Sequence, residues 1–433
     1  MSLKLRRAIF YGFVILFILS GFIMVMYSRG WRINIGNCGN EINLVCEFAF
    51  QKTGAIYLET SPGGGTTIKI NNELYEDKSN LLQSGTLITE FLPKSYRVEI
   101  SKAGYFSWIK NMKVEPELVT DARDIALLPK QFQKENLPFP VIKSDKIIDA
   151  NQSSQRIIAE NSQSGIFYLY DSATPSTTIN INSSFKNLIS GDSLISASFH
   201  PFDQNKIIAG GKNGLYIIDL LRLNAEVISK NRPAAWTAKN SGIYYLTKKS
   251  SGYSLYYSNL IVKNQDLIAS IGNSSTTAIL KLDASNSQSS IAILDDTNGL
   301  FLIDQSGNLK KISGNAADFA FSPDSRKIAY TDKNGGLDIL FLEDWPVDNP
   351  KKAGDSVQLK LNSVPGKIAW HKDSYHLFLS YPQEIKFAEI DDRSPLNIYG
   401  LPLPVYSLNF YYDAESNSIL WIKDKNFLRA KFQ

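Results

Sequence analysis

Residues 318–344 read DFAFSPDSRKIAYTDKNGGLDILFLED, and this pattern decides the fold. Phe319 and Phe321 share one face of a first strand, and Pro323-Asp324 opens a turn. KIAY forms a second strand, Asn334-Gly335 the next turn, and LDILFL a third strand. The same order returns seven times, near residues 146–173, 194–220, 232–260, 274–304, 317–344, 366–393 and 405–432. A spacing of about 40 residues is the length of one four-stranded propeller blade. The segment 146–433 shared among seven repeats gives about 41 residues each, which predicts a seven-bladed β-propeller without an inserted domain.

The physics of one repeat supports this reading. Its strands carry bulky apolar residues on both sides, so a single sheet cannot bury its own faces. Stacking the sheets radially covers both faces and leaves only short edges. An aromatic ends the first strand as Phe199, Trp236, Phe321, Trp370 and Phe410, and we read it as a wedge between neighbouring blades. Burying each ring contributes roughly 2–3 kcal/mol. Copies one and four lack the aromatic, which leaves six or eight blades open. The FSPDSRKIAY segment (321–330) resembles TolB-type and WD-like propellers. The seventh copy stops at its third strand at Gln433, so LPFPVIK (137–143) is predicted to supply the fourth strand and close the ring. No helix is predicted beyond position 146.

Ahead of the repeats, residues 131–145 hold Pro138 and Pro140 and read as a linker. Residues 53–130 form a compact β unit. AIYLET (55–60) alternates with period two, SPGGG (61–65) breaks it, and TTIKI (66–70) follows, with a tight turn at Asn71-Asn72. SYRVEISKAGY (95–105) and FSWIKNMKV (106–114) are two strands joined around Gly104, and ARDIALL (122–128) closes a small sandwich. These residues resemble the PEGA domain family. Ser61-Pro62-Gly63-Gly64, Ile68 through Asn72, Leu92-Pro93 with Tyr96, Lys102-Ala103-Gly104-Tyr105 and Val114-Glu115-Pro116 with Thr120 match its motifs in order. The name-giving Glu-Gly-Ala is replaced by Gly63-Gly64-Gly65, and Lys94 stands where the family has Gly. The resemblance implies an extracytoplasmic module of the prokaryotic envelope without enzymatic activity.

Residues 8–27, AIFYGFVILFILSGFIMVMY, are uncharged. As a helix they span roughly 30 Å, the thickness of a bilayer core. The run is longer than a signal-peptide core, and no small-x-small cleavage site follows. Lys4, Arg6 and Arg7 (within a basic arm, 1–7) place the N-terminus in the cytoplasm and everything after residue 30 outside it. Arg29 and Arg32 on the far side weigh against that orientation. Residues 28–52 read as a membrane-proximal hairpin containing Cys38 and Cys46, the only cysteines. Outside the cytoplasm they are candidates for a disulfide, with two free thiols as the alternative.

Composition narrows function further. Apolar residues make up 43% and charged residues 20% of the 433-residue chain, and the formal charge is +4. No basic stripe crosses the body, so nucleic acid is not a predicted partner. No cofactor and no metal site are read from the sequence. The three histidines are His200, His371 and His376. His200 and His371 take the place of Ser322 in copy five, which assigns them to turn geometry. No G-x-S-x-G elbow exists. Asp332-x-Asn334-Gly335 and Asp295 through Gly299 read as hairpin turns rather than calcium loops. Tyr105 and Trp108 are either a carbohydrate-stacking pair or packing residues. Asn151, Asn182 and Asn273 lie in N-x-S/T triplets, which marks surface positions. The leading expectation is a single-pass, non-catalytic binding or scaffold protein of the cell envelope. It would contact the bilayer through 8–27 and a protein or glycan through its β domains. The alternatives are a sensory ectodomain working with a partner subunit, and a propeller hydrolase or lyase.

Overall fold

The computed structural model describes residues 3–35, 48–79, 84–139, 143–151, 155–174, 178–240, 242–250, 252–262, 264–272, 278–347, 349–403 and 409–432. Cys38, Cys46 and Asn273 lie outside the described residues. The chain divides into two compact units. The first comprises Met1–Leu128 with Pro346–Pro350 and Arg393–Leu396, and the second comprises the rest.

In the first unit, helix α1 (Leu3–Ser28) starts before the apolar run and takes in Lys4, Arg6 and Arg7. Lys4–Ser28 is long and apolar enough to cross a membrane, and none of its apolar window is buried against protein. The helix stops at Gly30, whose φ of +80° an L side chain adopts only with strain. The Arg32 guanidinium then folds back over the Tyr27 ring at 3.5 Å and donates to Tyr27 O at 2.9 Å. Trp31–Ile35 pairs antiparallel with Phe48–Lys52.

Two sheets follow around one core. One has three strands in the order Gly85–Phe91, Gly54–Ser61, Val119–Ala126, the last two parallel. The other has four, ordered Glu73–Tyr75, Thr67–Ile70, Ser95–Ser101, Trp108–Lys113. Period-two alternation turns Ile56 and Leu58 of the first sheet and Val98, Ile100, Trp108 and Met112 of the second into the shared core. Trp108 is a core residue with 2% exposure, and Tyr105 packs at the edge of the same cluster, so packing is the role the structure gives that pair. The Asn71-Asn72 turn has φ of 48° and 71°, the left-handed pair a two-residue hairpin requires. Gly64 and Gly65 are also left-handed, and Lys102 Nζ donates to Gly64 O at 2.8 Å across this turn. Asp77 anchors the neighbouring loop. It accepts from Thr66 Oγ1, Ser79 Oγ and Thr86 Oγ1. Burial works to raise its pKa, but these hydrogen bonds outweigh it and bring the carboxyl down to about 2.

The second unit is a seven-bladed β-propeller. Blades 1 to 6 begin with Lys146–Asn151, Leu194–Phe199, Pro233–Lys239, Ile279–Ala284, Ala316–Phe321 and Lys367–Trp370, and each continues as a four-stranded antiparallel meander. Blade 7 is built from Phe410–Asp413, Ser418–Lys423 and Asn426–Lys431, and its fourth, outer strand is Lys134–Asn136. The closing strand therefore precedes the predicted 137–143. Pro138 and Pro140 have no N–H for a ladder, so pairing settles on the proline-free residues before them. Leu137 N still reaches Phe427 O at 2.9 Å, and Glu135 pairs with Arg429.

A second correction concerns helices. The eight-residue helix α2 (Ile181–Leu188) links blades 1 and 2. Asn180 caps it by accepting from Ser183 N, and it buries Ile181 and Phe185 against both blades. The ring accommodates it as a connector and keeps its blade count.

The strand-ending aromatics pack backwards onto the preceding blade. Phe199 shares a cluster with Ile158 and Leu169 of blade 1, Phe321 with Leu294 and Leu300 of blade 4, and Trp370 with Leu337 and Ile339 of blade 5. Trp236 is half-buried beside Ile208 and Leu215 of blade 2. Phe410 is 1% exposed, with its ring 6.3 Å from Phe378 of blade 6.

Candidate binding sites in the propeller

First strands of most adjacent blades touch one another, which sets them innermost around the axis of the ring. Their polar side chains act as struts between blades. Asp149 of blade 1 accepts from Ser198 Oγ at 2.6 Å and Phe199 N at 2.9 Å of blade 2. Asp318 of blade 5 accepts from Ile368 N of blade 6. Lys281 of blade 4 donates to Asp318 and Phe319 O of blade 5, and Lys367 of blade 6 to Phe410 O of blade 7. Tyr411 of blade 7 donates to Asp149 Oδ1 at 3.1 Å, which joins the last blade to the first. Burial raises the Asp149 carboxyl, with its hydrogen bonds opposing, and burial together with the Asp149 charge drives the Tyr411 hydroxyl well up. Burial pulls the Lys367 ammonium down to about 8, aided by the Lys281 charge and opposed by Asp318.

Blades 2, 3 and 4 leave an inner cleft of about 470 Å³. Small side chains make it: Ser196, Ala197, Ala234 and Ala235 line the walls, with Trp236 as the one large ring. Trp236 Nε1 donates to Ser196 Oγ at 2.8 Å, joining blades 3 and 2. Gly210 permits this approach, since a Cβ there would lie 2.6 Å from Trp236 Nε1. Arg232 adds positive charge, Lys281 lies at the wall with its charge paired to Asp318, and exposed Ile195 and Leu280 add apolar rim. This chemistry suits an extended polar chain or a saccharide held by stacking and hydrogen bonds. Trp236 was legible in the sequence as a blade aromatic. The cleft was not, because it depends on small residues from three blades that no linear pattern connects.

A second cluster sits in the turn between the first two strands of blade 6. His371, Asp373 and His376 bring their ligand atoms within 4.8 Å of one another. His376 Nδ1 is hydrogen-bonded to Asp373 Oδ2 at 2.8 Å. His371 Nδ1 lies at the same distance from that oxygen, yet without hydrogen-bond geometry, and is a buried polar atom with no hydrogen-bond partner among the described residues. Asp373 Oδ1 accepts from Tyr375 N and His376 N. Burial acts to raise the Asp373 carboxyl, but the His376 charge and both imidazoles hold it well below the usual range. The Phe387 ring stacks on His376 at 4.7 Å, with 6° between the planes.

The remaining sequence candidates resolve into turns. His200 Nδ1 accepts from Phe202 N and Asp203 N, a turn-holding role. Asp332 Oδ1 accepts from Asn334 N and Gly336 N, and Asp295 Oδ1 from Thr297 N and Gly299 N. Asn182 lies in α2 with its side chain accepting from Phe167 N. The structure does not bring His200 to the blade 6 pair. It brings His371 and His376 together, a convergence the repeat comparison missed although the H-x-D-x-x-H spacing displays it.

The fold defines a seven-bladed propeller in a chain that also carries an apolar N-terminal helix and a two-sheet sandwich. No family model matches the sequence, and no curated protein does. Among solved structures, a chain of the mitotic checkpoint complex is 12% identical with a TM-score of 0.49, covering 69% of this chain and 91% of its own. Hydrazine synthase of Kuenenia stuttgartiensis is 12% identical with a TM-score of 0.48, covering 69% of this chain and 97% of its own.

Proposed function

We propose that this protein is a membrane-tethered scaffold of the cell envelope that binds a protein or glycan partner in the inner cleft of its propeller. Helix α1 is the anchor, and the charges of Lys4, Arg6 and Arg7 favour a cytoplasmic N-terminus with both β units outside. The PEGA-like motifs of residues 53–130 support a spacer or docking role for the sandwich.

The observation that carries the reading is the cleft among blades 2, 3 and 4, with one aromatic ring, the Arg232 cation and walls of small residues on a braced ring. Rigid walls bind without the entropic cost of ordering loops. A photo-crosslinker placed at Leu280 in the full chain, in source cells, tests it. A discrete adduct at Leu280 that is absent at exposed Leu221, and is diminished by a competing wild-type copy but not by one carrying Leu280→Trp, is the expected result. Equal labelling at both positions would reject the cleft as the binding surface.

A further inference from the structure

The turn after the first strand contains an aspartate followed three residues later by a lysine in two blades. In blade 2, Asp203 Oδ2 meets Lys206 Nζ at 2.9 Å, and in blade 5, Asp324 Oδ2 meets Lys327 Nζ at 2.9 Å. Blade 6 keeps the aspartate as Asp373 but replaces the lysine with His376, and His371 enters from the end of the first strand. The ammonium that neutralises the carboxylate in two blades is missing from the third, and two imidazole nitrogens face the oxygen instead.

Hydrogen bonding fixes the role of one nitrogen of His371. Asn417 Nδ2 donates to Phe432 O at 3.2 Å, so its Oδ1 faces the other way. That oxygen accepts from Tyr412 OH at 2.9 Å and lies 2.9 Å from His371 Nε2. With Asn417 Oδ1 an acceptor, His371 Nε2 carries the N–H. Nδ1 then faces the Asp373 carboxylate from 2.8 Å, at a site where the residue is 8% exposed, and in the Nε2–H tautomer it presents a lone pair there. Two lone pairs at that distance repel unless a positive charge lies between them.

We propose that His371 Nδ1, His376 Nδ1 and the Asp373 carboxylate bind a divalent transition metal of the zinc class. Two imidazoles and one carboxylate are a common zinc donor set, and a water completes four-coordination. Metal arms of about 2.0–2.1 Å give tetrahedral edges of ~3.3 Å, so each imidazole nitrogen, now 2.8 Å from Asp373 Oδ2, moves about half an ångström from that oxygen to admit the ion. The outer partners of such a site are in place. Asn417 orients His371 through Nε2–H, and the backbone N–H groups of Tyr375 and His376 hold Asp373 Oδ1, leaving Oδ2 for the metal. Because Asn417 belongs to blade 7, the ion would fasten the seam between blades 6 and 7.

The test uses the full chain in nanodiscs, stripped with EDTA and dialysed free of chelator. Elemental analysis after zinc addition is expected to give one ion per chain, and cobalt(II) a visible absorption stronger than that of its hexaaqua ion. His376→Ala and Asp373→Asn are expected to lose both signals, and His200→Ala to keep them. Asn417→Ala should weaken metal affinity roughly 10–100-fold. Circular dichroism identifies any variant that fails to fold, and the wild-type stoichiometry and cobalt spectrum decide independently of it. Absence of stoichiometric metal, a cobalt spectrum like that of the aqua ion, or metal retained in both ligand variants would overturn the site and leave a proton as the charge between His371 and Asp373.

Discussion

Lys367 places an ammonium inside the ring, 2.8 Å from Phe410 O and over the Phe410 ring at 5.4 Å. Its pKa, lowered from 10.5 to about 8, reports chiefly burial and then the neighbouring Lys281 charge. Between pH 8 and 10.5 the unfolded chain binds more protons here than the folded one, so stability contributed by this site rises with pH across that window. Below pH 8 the penalty is fully present. It amounts to about 3 kcal/mol before solvent screening, which reduces it because the side chain is only partly buried. Lys367→Met removes the penalty along with one hydrogen bond worth about 1 kcal/mol. Denaturant unfolding of both proteins should show the wild type gaining on the variant from pH 8 to 10.5, and a constant difference would refute the account. Residue-level detail of this kind was hidden in the sequence, where Lys367 is one more cation beside a strand. His371 was visible and its turn was assigned, but its partners were not. Repeat equivalence identifies the turn, whereas the direction of a ring nitrogen depends on Asn417 from the next blade.

Strands and turns were the most legible level, because their signal is local. Phe319-x-Phe321, Pro323-Asp324 and Asn334-Gly335 each specify a face or a turn by residue type alone. Outer strands were less legible. Asn224–Ser229 is mostly in contact with solvent and lacks a continuous apolar face, so period two fades there. Helix α2 is short, and its two buried anchors, Ile181 and Phe185, fit many patterns. The wedge aromatics give this level its test. Trp370 is 5% exposed, sits in the core shared by blades 5 and 6, and donates from Nε1 to Ala320 O at 2.9 Å. Trp370→Ala should therefore cost roughly 3–5 kcal/mol. Trp236 is only half-buried, beside the cleft, and Trp236→Ala should cost less than half of that. Thermal melts of the two variants rank them, and equal losses would show that the aromatics are not wedges whose worth follows burial.

At the scale of the whole ring, closure is the decisive property, because a row of blades with two free ends exposes the apolar faces that stacking covers. The sequence suggested closure by a strand from 137–143, and the structure pairs Lys134–Asn136 with Asn426–Lys431 instead. The register was settled by which nearby residues can donate hydrogen bonds. Lys134, Glu135 and Asn136 pair with Ala430, Arg429 and Leu428, and the Phe132 and Phe432 rings meet at 4.8 Å beside them. Leu137 N donates to Phe427 O, so by the two-residue alternation of an antiparallel ladder Glu135 N also faces the partner strand. Glu135→Pro would remove that donor and the ion pair with Arg429 together. The combined loss is on the order of 2–3 kcal/mol. Because the strand fastens the two ends of the ring, hydrogen exchange in Asn426–Lys431 should accelerate before exchange in the strands of blade 4. Glu135→Gln keeps the backbone donor and removes only a partly exposed ion pair, so its exchange pattern should stay near that of the wild type. If Glu135→Pro accelerated exchange in blades 4 and 7 alike, the strand would support general stability without acting as the clasp. If neither changed, the ring would be held closed by its packed faces alone.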